Sequence, residues 1–295
     1  MTWKESLTQA EQTLIAAGVE DARTNVEYLA VHAMSLTHRS ELRSSLDREI
    51  TSVEAKTFHE LIHRRVSREP LQYILGEWEF FGLPIKVDPD ALIPRPETEI
   101  LVEQALSESA KLSGSITILD IGTGTGCIAL AIARHLPNAS ILGIDASGGA
   151  IELAKENARM LGIPNASFQI VDIFSNEWLN AQPTAFDMLV SNPPYIGRVD
   201  FEQLEPEVNR FEPRLALTDE SNGLSFYERI AKLAPKLLTE RGRLLVEIGY
   251  GAKESVENIM RNSGLEVVRT VSDLANIPRV IVATVEPLKM RKNAS

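Results

Sequence analysis

The stretch Asp120-Ile121-Gly122-Thr123-Gly124-Thr125-Gly126 limits what this chain can fold into more than any other. It follows a short apolar run, Ile116–Asp120, and opens a helical pattern near residues 126–136. Alternating glycines let a backbone turn sharply after a strand and let a ligand approach with no Cβ in its way. The helix start then faces that ligand with unpaired N–H groups. A second apolar run, Ile141–Asp145, ends on a carboxylate 19 residues beyond Gly126, placed to accept hydrogen bonds from both hydroxyls of a ribose. The two features together specify an adenosine-containing cofactor without choosing one. Gly124-x-Gly126-x-x-Ala129 also satisfies a loose dinucleotide fingerprint, so a nicotinamide oxidoreductase stays open. Asp145 has a second reading as a helix cap. Asp172 either reaches an adenine amine or forms an Asx turn. Thr123 and Thr125 either donate hydroxyls to the ligand or fill the turn.

The pattern around the Gly-rich loop alternates. Apolar runs near 116–120, 141–145, 168–171, 186–191 and 243–248 read as strands, and the segments near 126–136, 150–161, 224–238 and 252–262 read as helices. Such alternation implies parallel strands joined by right-handed crossovers, an open α/β sheet with helices on both faces. Two closing strands, about 265–271 and 279–285, have no helix between them and are expected to pair antiparallel. The sheet is then seven-stranded and mostly parallel.

Residues 1–75 carry no β pattern and read as a bundle of four or five helices. Thr51-x-x-Glu54 forms a capping-box signature, and Phe58, Leu61, Ile62 and Val66 follow on one helical face until Pro70 stops it. Residues 76–95 read as a hairpin linker: strand Glu77–Phe81, turn Gly82-Leu83-Pro84, strand Ile85–Val87. Pro96 suits a first helical position, and the catalytic domain is expected over residues 96–289. Cys127 is the sole cysteine, so neither an intrachain disulfide nor a cysteine metal cluster is expected. No basic-then-apolar leader opens the chain, and no apolar run approaches the roughly 18 residues of a membrane span. A cytoplasmic protein is expected, with no membrane association and no catalytic metal. The net charge of −11 argues against broad nucleic-acid binding. The densest basic run, His63-Arg64-Arg65-x-x-Arg68, is expected to be a solvated helix face, in a segment holding nine Lys/Arg against eleven Asp/Glu over residues 1–75.

Asn192-Pro193-Pro194-Tyr195 follows the fourth strand, at the carboxyl edge where open sheets bind ligands. Two prolines stiffen the loop. The Asn192 side-chain oxygen and the Pro193 carbonyl become two acceptors at fixed separation, matched to the two hydrogens of an NH₂ group. Tyr195 adds a ring face for a planar group. An amide or aromatic amine is a poor nucleophile because its lone pair is delocalised. Two fixed acceptors orient that lone pair toward a methyl donor and stabilise the growing positive charge. Local chemistry therefore reaches a planar NH₂ acceptor and no further.

The Asp120–Gly126 loop with Asn192–Tyr195 resembles the class I methyltransferases that act on amide or exocyclic nitrogens. Pro70-Leu71-Gln72-Tyr73-Ile74-Leu75-Gly76, Ile93-Pro94-Arg95-Pro96-Glu97-Thr98-Glu99 and Arg210-Phe211-Glu212-Pro213 narrow the resemblance to the HemK/PrmC family, the release factor glutamine methyltransferases. The resemblance covers nearly the whole chain. It implies a helical N-terminal domain, a hairpin linker and a Rossmann-like methyltransferase domain; the helical domain, whose fold adds nothing the chemistry requires, is expected to grip the release factor away from the catalytic pocket. It also implies S-adenosyl-L-methionine as cofactor, and as partners the class 1 peptide chain release factors, methylated at N(5) of the Gly-Gly-Gln glutamine. By the same carry-over, Gly122, Thr123, Gly124, Thr125, Gly126, Asp145, Asp172, Ile173 and Asn192 bind the cofactor. Asn192, Pro193, Pro194 and Tyr195 bind the glutamine amide, and Asn192, Pro193 and Tyr195 serve catalysis. Ile173 departs from relatives that carry an aromatic over the adenine. Arg95 and Glu97 line the cofactor side or cap the helix start. A monomer without stable nucleic-acid binding is expected. The alternatives are methylation of a nucleobase amine in DNA or rRNA, the oxidoreductase, and a binding module without turnover.

Overall fold

The computed structural model describes residues 1–175 and 185–285. Residues 286–289 of the expected catalytic domain lie outside that range. The chain divides into two compact units, Met1–Glu77 with Glu205–Phe211, and Trp78–Leu204 with Glu212–Ser295.

The first unit is helical: α1 (Trp3–Ala16), α2 (Ala22–Ala33), α3 (Leu42–Ser45), α4 (Ser52–Val66) and α5 (Leu71–Leu75). Thr51 and Glu54 form the reciprocal capping box at α4, and Thr2 with Glu5 does the same at α1. Trp3, fully buried, meets Phe58 edge-on at 5.2 Å between centroids. Helix α4 ends at Val66, ahead of Pro70, because Arg68 adopts a left-handed φ of 70°; Pro70 stands at the start of α5. The basic run is not a uniformly solvated face. Arg64 pairs with Glu69 at the surface, whereas Arg65 is buried. The Arg65 Nε donates to Asn25 Oδ1 at 2.7 Å and its Nη2 to Glu207 Oε1 at 2.7 Å. Arg68 donates to both oxygens of Glu207.

The second unit opens with the hairpin β1 (Glu77–Phe80) and β2 (Leu83–Lys86). Its turn is Phe81-Gly82, both at positive φ (51° and 72°), one residue earlier than Gly82-Leu83-Pro84. The β2 end is held by Asn157, whose Oδ1 accepts from Lys86 N at 2.8 Å and whose Nδ2 donates to the Lys86 and Thr125 carbonyls. A 3₁₀ turn, Pro96–Thr98, leads into α6 (Glu99–Ser109). The main sheet follows: β3 (Thr117–Ile121), α7 (Cys127–His135), β4 (Ser140–Asp145), α8 (Gly148–Leu161), β5 (Ala166–Ile170) and β6 (Phe186–Ser191). Two short helices, α9 (Arg198–Phe201) and α11 (Arg214–Leu217), flank α10 (Pro206–Phe211) of the first unit. Then come α12 (Ser225–Leu237), β7 (Leu238–Glu247), α13 (Lys253–Asn262), β8 (Leu265–Ser272) and β9 (Pro278–Val285).

The seven-stranded sheet has the order β5-β4-β3-β6-β7-β9-β8. The pairs among β5, β4, β3, β6 and β7 are parallel, and β9 runs antiparallel to both β7 and β8. Strand order reverses between β3 and β6, the switch point at which open sheets bind ligands. Among the described residues, no helix is long and apolar enough to cross a membrane.

Candidate active site

Gly122, Gly124 and Gly126 all sit at positive φ, 72°, 54° and 81°. The loop is tied to β4: Gly122 N and Thr123 N donate to Ile144 O, at 2.8 and 3.0 Å, and Gly124 N donates to Asp145 Oδ2 at 3.0 Å. A Cβ at Gly122 would meet nothing within 4 Å, so that part of the loop faces open space. A Cβ at Gly126 would instead press on Ala154 and Phe168 at 3.1 and 3.2 Å. The Thr123 hydroxyl turns inward and donates to Asp120 Oδ2 at 2.6 Å, and Thr125 is likewise buried. What the loop presents outward is therefore its backbone. Burial pushes the Asp120 carboxyl up to about 7, against the opposing Thr123 bond, and Asp120 Oδ1 has no hydrogen-bond partner among the described residues.

Asp145 is half-buried at the end of β4. Its Oδ1 accepts from Ser147 N at 2.9 Å, and burial raises its pKa against the backbone N–H groups that hold it. Each carboxylate oxygen keeps a second lone pair for a ligand. Asp172 lies two residues past the end of β5, where its Oδ1 accepts from Phe174 N at 2.8 Å in an Asx turn. Ile173 packs in the buried cluster that includes Val171, Tyr227 and Ile230. Its neighbour Phe174 is the exposed one and stands edge-on to Phe226 at 5.1 Å.

The register Ile121↔Ser191 aligns the start of the Gly loop with the start of the Asn-Pro-Pro-Tyr loop. Ser191 Oγ donates to Ile121 O at 2.7 Å, pinning the two strand ends together, and Asn192 emerges beside Gly122. Pro193 and Pro194 are buried, while Asn192 and Tyr195 are half-buried. Asn192 Nδ2 donates to Thr98 Oγ1 at 3.1 Å. The Tyr195 ring lies against Gly249, and the Tyr195 carbonyl lies against Gly223, whose φ is 79°. Burial, helped by the nearby Glu247 carboxylate, pushes the Tyr195 phenol up to about 12, so it stays neutral. Glu247, at the end of β7, is buried; burial raises its carboxyl to about 7, and Oε2 has no hydrogen-bond partner among the described residues.

A methyltransferase-domain family matches residues 112–280, and a PrmC N-terminal domain family matches residues 5–76. A release factor glutamine methyltransferase from Geobacter sulfurreducens is 42% identical over 268 residues, 91% of this chain and 91% of its own length. The chain belongs to the release factor glutamine methyltransferase family. A second member, from Vibrio cholerae, is 40% identical over 286 residues, 95% of this chain and 96% of its own length. A crystal structure of a methyltransferase from Pyrococcus furiosus covers 79% of this chain and 99% of its own, with a TM-score of 0.51 at 15% identity, a likeness of fold. Membership in this family makes the chain an S-adenosyl-L-methionine-dependent enzyme.

Two of the segments that carried the family resemblance meet in space. Glu212 forms an ion pair with Arg95 and its Oε2 accepts from Ile93 N at 3.1 Å, fixing the strand-like entry to Pro96. Glu247, Gly249 and Gly223 carry no sequence signal of their own: each acts through a contact with a residue more than 20 positions away. Phe174 was legible as an aromatic two residues past Asp172.

Proposed function

We propose that this chain transfers a methyl group to N(5) of the glutamine in the Gly-Gly-Gln motif of class 1 peptide chain release factors. In this reading Gly122–Gly126, Asp145 and Asp172 hold S-adenosyl-L-methionine, and Asn192–Tyr195 hold the glutamine amide. The observation that carries it is the register of β3 on β6, which sets Asn192 beside the open face of Gly122. The residues fit the cofactor: a backbone face free of Cβ atoms suits close approach, and Asp145 keeps acceptor capacity for a ribose. When bound, S-adenosyl-L-methionine supplies an electrophilic methyl group. Asn192 Oδ1 and the Pro193 carbonyl accept the two amide hydrogens, turn the nitrogen lone pair toward that methyl and stabilise the positive charge on nitrogen. The neutral Tyr195 ring, backed by Gly249, confines the amide plane. The nitrogen then sheds one proton to water. We assign Ile173 a supporting place beneath the adenine side, next to the exposed ring of its chain neighbour Phe174.

Transfer of labelled methyl from S-adenosyl-L-methionine to a release factor tests the reading, with no label expected when the Gly-Gly-Gln glutamine is replaced by alanine. Equal labelling of that variant, or label in DNA or rRNA alone, overturns it. The helical unit is assigned to gripping the release factor. Removing residues 1–75 is expected to spare cofactor binding and weaken methylation of the whole factor, and unchanged kinetics would refute this role.

A further inference from the structure

The adenine side of the site rests on a turn that the sheet supports from one side only. β5 is the edge strand, with β4 as its one neighbour. Val171 N still donates to Asp145 O at 2.8 Å, and beyond it the chain turns through Asp172. The turn closes on itself: Asp172 Oδ1 accepts from Phe174 N at 2.8 Å, and Asp172 O accepts from Ser175 N at 3.0 Å. These bonds fix the shape of the turn but not its tilt, since both partners of each bond move together. We infer that Arg229, with Phe226 beside it on α12, is a positioning residue that fixes this tilt and so aims the Asp172 carboxylate at the adenine amine. This rests on the reading of Asp172 as part of the cofactor site.

Helix α12 is a firm base. Tyr227, Ile230, Ala231 and Ala234 on its inner face are fully buried, and the Tyr227 hydroxyl donates to Glu247 O at 2.9 Å. Phe226 and Arg229 stand three positions apart, so they are neighbours on the helix surface. The Arg229 Nε donates to the Ile173 carbonyl, and its Nη2 donates to the Ser175 carbonyl at 3.2 Å. The Phe226 ring meets the Phe174 ring edge-on at 5.1 Å. Three consecutive residues of the turn, Ile173 to Ser175, are therefore each held by α12. The Ile173 side chain, packed in the cluster around Tyr227 and Ile230, is one anchor, and a turn hung on one anchor can rock. A planar guanidinium bonded to two carbonyls stops that motion, because its donors are fixed relative to each other. The two bonds span 56 and 54 positions of sequence, so no local turn requirement explains them. Holding the carboxylate in place before the cofactor arrives spares the ordering cost that binding would otherwise bear.

S-adenosylhomocysteine and S-inosylhomocysteine differ only at the purine edge: the first presents an amine, the second a carbonyl oxygen that a carboxylate repels. Calorimetry on the parent is expected to show the first binding at least about tenfold tighter. Arg229→Met keeps the apolar stem and removes the donors. It should weaken S-adenosylhomocysteine about tenfold and S-inosylhomocysteine less than about threefold, so the preference shrinks. KM for S-adenosyl-L-methionine should rise in step, with kcat toward a release factor within about threefold. Loss of packing alone would weaken both ligands equally and leave the preference intact. Arg229→Lys keeps the charge and loses the fork. Its preference should fall about threefold, and it decides the matter if Arg229→Met fails to fold. Parental preference in the variant that is read, or equal loss for both ligands, overturns the inference. Asp172→Asn separates this outcome from failure of the underlying reading, because it can keep the turn through Oδ1 and present an NH₂ group to the purine. If Asp172→Asn loses the preference while Arg229→Met keeps it, the clamp alone fails. If the parent has no preference, or Asp172→Asn keeps it, the assignment of Asp172 fails and the inference falls with it.

Discussion

The ring of Tyr195 lies against the α-carbon of Gly249, so that a Cβ there would come within 2.8 Å of Tyr195 Cδ2 and 3.2 Å of Cε2. Gly249 does not need a positive φ. Its lack of a side chain serves the ring. Gly249→Ala is therefore expected to leave the fold intact and push the ring toward the substrate side. A displacement of this size should cost about tenfold or more in kcat/KM for the release factor. Cofactor affinity should be unchanged, and steady-state kinetics beside calorimetry checks both halves.

Gly122 and Gly126 share a left-handed backbone but differ in what surrounds them. A Cβ at Gly126 presses on Ala154, Phe168 and Leu130 at 3.1 to 3.3 Å, and one at Gly122 enters open space. Gly126→Ala should lower stability by about 1–3 kcal/mol through strain and overpacking. Gly122→Ala should lose only about 1–2 kcal/mol from its backbone, and its larger effect should be weaker S-adenosyl-L-methionine binding. Chemical unfolding and calorimetry on the two variants separate these outcomes.

Asp120 sets a pH dependence. Burial raises its carboxyl from the ordinary 3.8 to about 7. Below the unfolded value both states are protonated and the fold bears no penalty. As pH rises above it, the unfolded chain releases the proton while the folded chain holds it, and stability falls until the folded group ionises near 7. Asp120→Asn has no such proton. Its stability relative to the parent should rise between pH 5 and 7, within the window set by the two pKa values, and level off above. The full effect is at most about 4 kcal/mol. Unfolding curves at several pH values test the slope, and a constant difference would contradict it.

Glu207 neutralises two arginines, one of them buried. Glu207→Ala leaves the Arg65 charge without its carboxylate inside the helical unit. The expected loss is about 2–4 kcal/mol, seen as faster hydrogen exchange in α4 and α10. Unchanged exchange would mean that the bonds from Arg65 to Asn25 and to the Glu69 carbonyl suffice.

Several elements were readable because their signals are local. The capping box at Thr51 and Glu54 spans four residues, and β6 was bounded at Phe186–Ser191 by its apolar run alone. The helix α9 and its neighbours α10 and α11 were not readable, since four to six residues show no period. The hairpin turn was misplaced because Phe81, a bulky residue, takes the left-handed φ that sequence reasoning reserves for glycine.

Sequence by itself determined the sheet class, the antiparallel closure, the Gly loop and the Asn-Pro-Pro-Tyr loop. Periodicity, glycine and proline act within a few residues of themselves. Only the tertiary structure decided that Thr123 turns away from the ligand face to meet Asp120, that Ile173 enters the core, and that Arg65 is buried on Glu207. The same holds for the hydrogen bond from Asn192 to Thr98. Burial and hydrogen-bond partnership depend on which distant strand or helix arrives at a residue, and that is a property of the packed fold.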